Sequence, residues 1–118
     1  MARSFNIHQS IALTSTQADV ISAAGINAFF GKAAGITVYW NCDTVSTMTA
    51  SLAEDDGTTA SLLVPAGSAV PVASTIGKIK ANEDFIGQFA VDAGCKLLLS
   101  VTNPTAGALI FNALIVVN

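Results

Sequence analysis

The sequence predicts an all-β protein: a two-sheet antiparallel sandwich, jelly-roll-like, of about eight strands, in a single domain spanning residues 1–118. Three observations predict it. Short segments that alternate apolar and polar residues recur along the chain, each bounded by Gly, Pro, Asn or Asp, the pattern of half-buried strands joined by turns. No stretch of ten or more residues carries a helical period, and neither a repeat nor a linker divides the chain. At 118 residues the chain can bury about two thirds of its unfolded surface in one core.

Taken in order, Phe5, Ile7, Ile11 and Leu13 occupy the odd positions of a long first strand, with Gln9 as its polar interruption. Residues 17–24 are a weaker strand candidate, because Val20 and Ile21 are adjacent and leave the facing ambiguous. Residues 25–31 read as an apolar loop or a short turn of helix. The Phe29–Phe30 pair there either plugs the sandwich or forms a contact surface. The clearest strand is 36–42, with Ile36, Val38, Trp40 and Cys42 on one face and Thr37, Tyr39 and Asn41 on the other, as the two-residue period of a strand requires.

A strand over 44–53 follows, with Met48, Ala50 and Leu52 opposite Thr47, Thr49 and Ser51. Glu54-Asp55-Asp56-Gly57 makes an acidic hairpin turn, since Asp-Gly accepts the positive φ values that tight hairpins need, and residues 58–64 return as its partner. Pro65-Ala66-Gly67 and Val70-Pro71 mark a loop or an edge strand, because proline lacks the ladder donor. Residues 76–79 form a short strand before the turn at Asn82-Glu83-Asp84. Phe85, Gly87, Phe89 and Val91 share one face of the next strand. Asp92-Ala93-Gly94 turns the chain into 95–101, where Cys95, Leu97, Leu99 and Val101 alternate with Lys96, Leu98 and Ser100. Residues 103–107 lead to the last strand.

In that last strand Leu109, Phe111, Ala113, Ile115 and Val117 lie on one face and Ile110, Asn112, Leu114 and Val116 on the other. Apolar residues on both faces signal burial on both sides. Ile110, Leu114 and Val116, with Leu98 of the preceding strand, therefore form an outward apolar patch that is either a subunit contact or the bed of a long loop. The candidate contact residues are these four together with Phe29 and Phe30.

Composition points the same way. The chain is 52% apolar and only 11% charged, against about 25% charged residues in ordinary soluble domains. Either other subunits cover part of the surface, or Ser, Thr, Asn and Ala keep it wet without charge. The longest apolar run, residues 108–117, is interrupted by Asn112 and is about half the length a spanning helix needs. Asn6, His8, Gln9 and Ser10 break up the N-terminus, so a secretory leader is not expected and synthesis in a cytoplasm is. The five basic residues, Arg3, Lys32, Lys78, Lys80 and Lys96, are scattered in a chain of net charge −3, which disfavours nucleic acid as a partner.

Chemistry-bearing constellations are scarce. His8 is the only histidine, so any Ser–His or Cys–His pair must use it, and no nucleophile elbow is present. Cys42 and Cys95 both point inward; two thiols and one histidine fall short of a zinc site, and buried free thiols are expected over a disulfide in a cytoplasmic product. Glu54, Asp55 and Asp56 lack the alternating spacing of a calcium loop, and a solvated hairpin tip explains them. Tyr39 and Trp40 fall on opposite faces, so they make no joint sugar-stacking platform. No catalytic residue, metal ligand or cofactor is expected, and the chain reads as a non-enzyme.

The hairpin ITVYWNC…MTASLAEDDGTTASLLV and the C-terminal run VDAGCKLLLSVTNPTAGALIFNALIVVN resemble, in the rhythm of their strands, the small jelly-roll decoration (cement) proteins on the capsids of tailed phages. The resemblance covers roughly half the chain and carries no diagnostic motif. It implies a homo-oligomer, a dimer or trimer, seated on a major capsid protein at the virion surface and stabilising the shell. The alternatives are a carbohydrate-binding β-sandwich, which requires exposed aromatic residues on one sheet, and a small viral coat protein, whose usual basic arm is missing here.

Overall fold

A computed structural model of the protein describes residues 3–12, 15–43, 47–75, 77–104 and 108–118. Nine strands and one helical turn follow in order: β1 (Arg3–Ile11), β2 (Ser15–Gln17), α1 (Val20–Ala23), β3 (Phe29–Phe30), β4 (Ala34–Cys42), β5 (Thr49–Asp55), β6 (Ala60–Ala69), β7 (Phe85–Val91), β8 (Cys95–Asn103) and β9 (Leu109–Val117). One sheet has the order β1-β9-β4-β7 and the other β2-β8-β5-β6, with β3 also paired to β8. Every strand pair is antiparallel. The pairs β5–β6, β4–β7, β2–β8 and β1–β9 are nested, first strand with last and so inward. A single long hairpin has been rolled into two layers, which is jelly-roll-like connectivity.

Alternation sets the core. Ile36, Val38, Trp40 and Cys42 from β4 are buried, as are Leu97, Leu99 and Val101 from β8 and Phe111, Ala113 and Ile115 from β9. Trp40 and Phe111 meet with ring centroids 6.1 Å apart. Each Val, Leu, Ile or Phe among them contributes about 1.5–3 kcal/mol on leaving water, and the one-residue register slip that would expose them is strongly disfavoured.

Departures from the expected elements have local causes. The strand expected over 17–24 is instead the end of β2 and one turn of helix. Asp19 caps that turn by accepting from the Ser22 amide at 3.1 Å, and the turn sets adjacent Val20 and Ile21 both against the core, where a strand would send them to opposite faces. α1 packs on β8 and β1. It separates β2 from β3, which line the same edge of β8 at Val101–Asn103 and Cys95–Lys96. One strand position is thus filled by two short pieces, which is why nine strands appear where about eight complete a jelly roll.

The acidic hairpin forms, but Glu54 and Asp55 remain in β5 and the loop is Asp56–Thr59. Gly57 has φ +93°. Proline-containing 65–67 is part of β6, an edge strand whose pairing to β5 shifts register at two points. The start expected for β5 at residues 44–46, the inward Leu13 and the 105–107 connection lie outside the described residues. The short strand expected over 76–79 is absent: Ile76 lies outside the described residues, and 77–80 form no strand.

Phe85 does not share a face with Gly87, Phe89 and Val91. A bulge between Val38 and Tyr39 in the β4–β7 ladder pairs Val38 with Gly87 but Tyr39 with Phe85. The extra residue, Ile86, turns Phe85 outward.

Candidate functional site

The outward face of the β1-β9-β4-β7 sheet carries the densest grouping of side chains that the core does not use. β9 is a central strand, so its outward residues are flanked on both sides, and the registers set them in rows. One row is Ser4, Val116, Thr37 and Gln88; the next is Asn6, Leu114, Tyr39 and Phe85; a third is His8, Asn112 and Asn41. The middle row is apolar over three strands. Tyr39 and Phe85 meet edge to face with centroids 5.9 Å apart, and Phe85 is 51% exposed.

The third row is polar and connected. His8 Nδ1 bonds Asn112 Oδ1, Asn112 Nδ2 donates to Asn41 Oδ1 at 3.0 Å, and Asn41 Nδ2 donates to Asp84 Oδ2 at 2.9 Å and to the Lys78 carbonyl at 2.7 Å. The Lys80 amide also donates to Asp84 Oδ2, at 2.7 Å. Asp84 as a carboxylate only accepts, so the Asn41 amide must present its NH2 to it. The orientation then propagates outward: Asn41 Oδ1 accepts from Asn112, and Asn112 Oδ1 accepts from His8 Nδ1–H. In the neutral imidazole this row places the proton on Nδ1 and leaves Nε2 as an acceptor on the surface. Asn41 and Asn112 are buried although their strands turn them away from the core, because the chain between β6 and β7, which contributes the buried Asp84, crosses over them. That crossing is held by Cys42 and its neighbours: the Cys42 amide donates to Pro71 O, the Ala73 amide to Cys42 O and the Trp40 amide to Asp84 O. A shallow cleft beside His8 is lined by Asn6, Lys78, Ile79 and Leu114 among others. It offers amide, ammonium and aliphatic groups.

The six expected contact residues are not brought together. Ile110, Leu114 and Val116 share this outer face and are half-buried. Leu98 does not join them, because β8 and β9 belong to different sheets and their outward faces lie on opposite sides of the sandwich. Leu98 instead neighbours Ala53, which also pairs with Leu62, 60% exposed, in a smaller patch on the second sheet. The phenylalanine pair divides: Phe30 is a plug, 3% exposed, and Phe29 projects at 52%. The Arg3 guanidinium lies 5.1 Å from the Phe5 ring centroid and 5.5 Å from that of Phe30, covering that end of the core with a cation–π contact. Sequence reasoning missed Phe85 and the polar row. The bulge that exposes Phe85 leaves no mark in the alternation, and Asn112 reads as a mere interruption of an apolar run.

Cys42 and Cys95 are buried and are not joined in a disulfide. Burial, with Glu54, Asp92, Asp56 and Asp55 nearby, pushes the Cys95 thiol up and away from the reactive thiolate. At the hairpin tip the Thr59 and Thr58 amides donate to Asp56 Oδ1, each at 2.8 Å, and hold its carboxyl below the ordinary value of 3.8. Asp55 Oδ1 accepts from the Gly57 amide at 2.9 Å. These carboxylates are occupied in shaping the turn, and no group of three or more His, Cys, Asp or Glu placed to hold a metal occurs among the described residues.

Comparison with models of protein families, with curated proteins and with solved structures finds no match in any of the three. The outward face itself carries the functional reading.

Proposed function

We propose that the protein is a non-catalytic structural subunit of a virion, a decoration protein that binds copies of itself and a major capsid protein on the outside of a shell. The observation that carries this reading is the apolar row Leu114–Tyr39–Phe85, bordered by Val116, on the outward face of a sheet in a chain only 11% charged. Burial of such rows, repeated over symmetric contacts, is how a shell gains stability from many small interfaces. Mass spectrometry of purified virions tests the proposal, together with co-sedimentation of the purified protein with undecorated capsids. Absence from every virion fraction and from the capsid pellet rejects it.

One observation favours a second reading. Half-buried Tyr39 and exposed Phe85 lie on the same outward face, an outward aromatic pair of the kind a carbohydrate-binding sandwich uses. A glycan array distinguishes the two: binding that is lost in Phe85→Ser with the fold intact supports the carbohydrate reading, and an array without hits dismisses it.

A further inference from the structure

We infer that β1 is a pairing edge for a second copy of this chain, the two β1 strands running antiparallel about a twofold axis near Ile7 to give one continuous eight-stranded sheet. The inference rests on the assembly reading and names the surface through which copies meet.

The sandwich has four flanking edges, and three of them are blunted against strand addition in ways sheet proteins commonly use. On β6, Pro65 removes a donor, Gly67 has φ +82° and the ladder shifts register twice. On β7 a bulge interrupts the ladder, and Gly87 sits in mid-strand. The β2/β3 edge is two fragments of three and two residues with α1 between them. β1 has none of these devices. Its nine residues pair with β9 in unbroken register from Arg3 to Ile11, and no proline, glycine or acidic residue occurs among them. Among the described residues, the one β1 backbone group with a partner beyond the β1–β9 ladder is the Ile11 carbonyl, which accepts from Asn103 Nδ2 at 2.9 Å.

The occupant follows from what β1 offers. Maximal overlap of two nine-residue strands places the axis at the central residue, Ile7. Ser4 then stands opposite Ser10 of the other copy, Asn6 opposite His8, and Arg3 opposite Ile11. No like charges face one another, which is the usual obstacle to self-pairing. The outward residues Ser4, Asn6, His8 and Ser10 are hydrogen-bonding groups, and no Asp, Glu, Lys or Arg stands among them. In the neutral imidazole, His8 Nε2 is left as an acceptor by the Nδ1–H bond to Asn112 and gains the Asn6 amide of the second copy as a donor neighbour. The row Asp84–Asn41–Asn112–His8 is thereby continued across the axis. A strand of another protein would have to match this pattern by chance, whereas a second copy matches it by symmetry.

The test uses the full chain in sedimentation velocity over a concentration series, with two variants at exposed positions. Ser4→Lys with Ser10→Lys sets like charges opposite each other twice across the axis. Ser4→Asp with Ser10→Lys sets opposite charges there. The expected result is a concentration-dependent dimer, weakened about tenfold in the first variant and restored in the second. Circular dichroism should be unchanged in both, and hydrogen exchange in β1 should slow as the dimer forms. A monomer at every concentration overturns the inference. A dimer of equal affinity in all three proteins also overturns it, by assigning association to another surface, and leaves the assembly reading standing. Failure of the opposite-charge variant to recover overturns the register about Ile7. Virion mass spectrometry judges the assembly reading independently of all three outcomes.

Discussion

Asp56 and Asn41 act on stability through side-chain hydrogen bonds, Asp56 to backbone amides of its own turn and Asn41 to buried polar groups. Because the Thr59 and Thr58 amides lower the Asp56 carboxyl below 3.8, the folded state binds that proton less readily than the unfolded chain. The stabilisation is therefore complete above about pH 4 and is lost as the pH falls through the depressed folded value. Asp56→Asn keeps an acceptor but removes the charge. Its melting temperature is expected to lie below that of the unmutated protein at pH 7 and to converge with it below pH 3.8, as read by thermal denaturation across a pH series. Asn41 is fully buried and joins Asn112, Lys78 O and Asp84. Asn41→Ala leaves a buried amide and a buried carboxylate short of partners, which costs about 2–3 kcal/mol, measurable as a lower midpoint in urea unfolding. Trp40 carries the reverse situation: its indole Nε1–H is buried without a partner among the described residues, and the value of its ring to the core outweighs that orphaned donor.

At the scale of elements, β7 shows how an edge strand is made to turn a side chain outward. The bulge at Ile86 exposes Phe85, and directly after it Phe89 folds its ring over Gly87, so that a Cβ there would stand 2.7 Å from the ring's Cζ. An aromatic ring covering a strand glycine replaces the packing the glycine lacks. Gly87→Ala is expected to displace Phe89 and destabilise by about 1–3 kcal/mol, whereas Phe89→Ala uncovers the glycine, and the double substitution should cost less than the two effects added. A double-mutant cycle in chemical denaturation checks this coupling. α1 makes a related point: one helical turn directs the adjacent side chains of Val20 and Ile21 to the same core, which strand alternation does not.

For the molecule as a whole, the nested pairing puts the first strand beside the last. His8 and Asn112 are 104 positions apart in sequence and hydrogen-bonded in the fold. Closing such distant pairs costs chain entropy before any contact rewards it. Refolding is accordingly expected in milliseconds to seconds rather than microseconds. Trp40, the single tryptophan and fully buried, reports it by stopped-flow fluorescence, and a microsecond phase carrying the full amplitude would contradict the expectation. Neither the half-buried Ile110, Leu114 and Val116 nor the exposed Phe85 belongs to that core. On the proposed reading, they are the surface offered to a second copy or a capsid.

The amino-acid sequence by itself determined most of the strands and the faces they bury. The inward sets of β4, β8 and β9, the acidic hairpin and the two-layer sandwich are all legible in a two-residue period and in Asp-Gly chemistry, which act locally. Only the tertiary structure decided which strands became neighbours. Alternation states which side of a strand is apolar, not which sheet it joins, so Leu98 parts from Ile110, Leu114 and Val116. A bulge is a property of a pair of strands, so Phe85 turned outward without warning. The row His8–Asn112–Asn41–Asp84 required three strands in register and a crossing segment above them, and no single stretch of sequence contains that information.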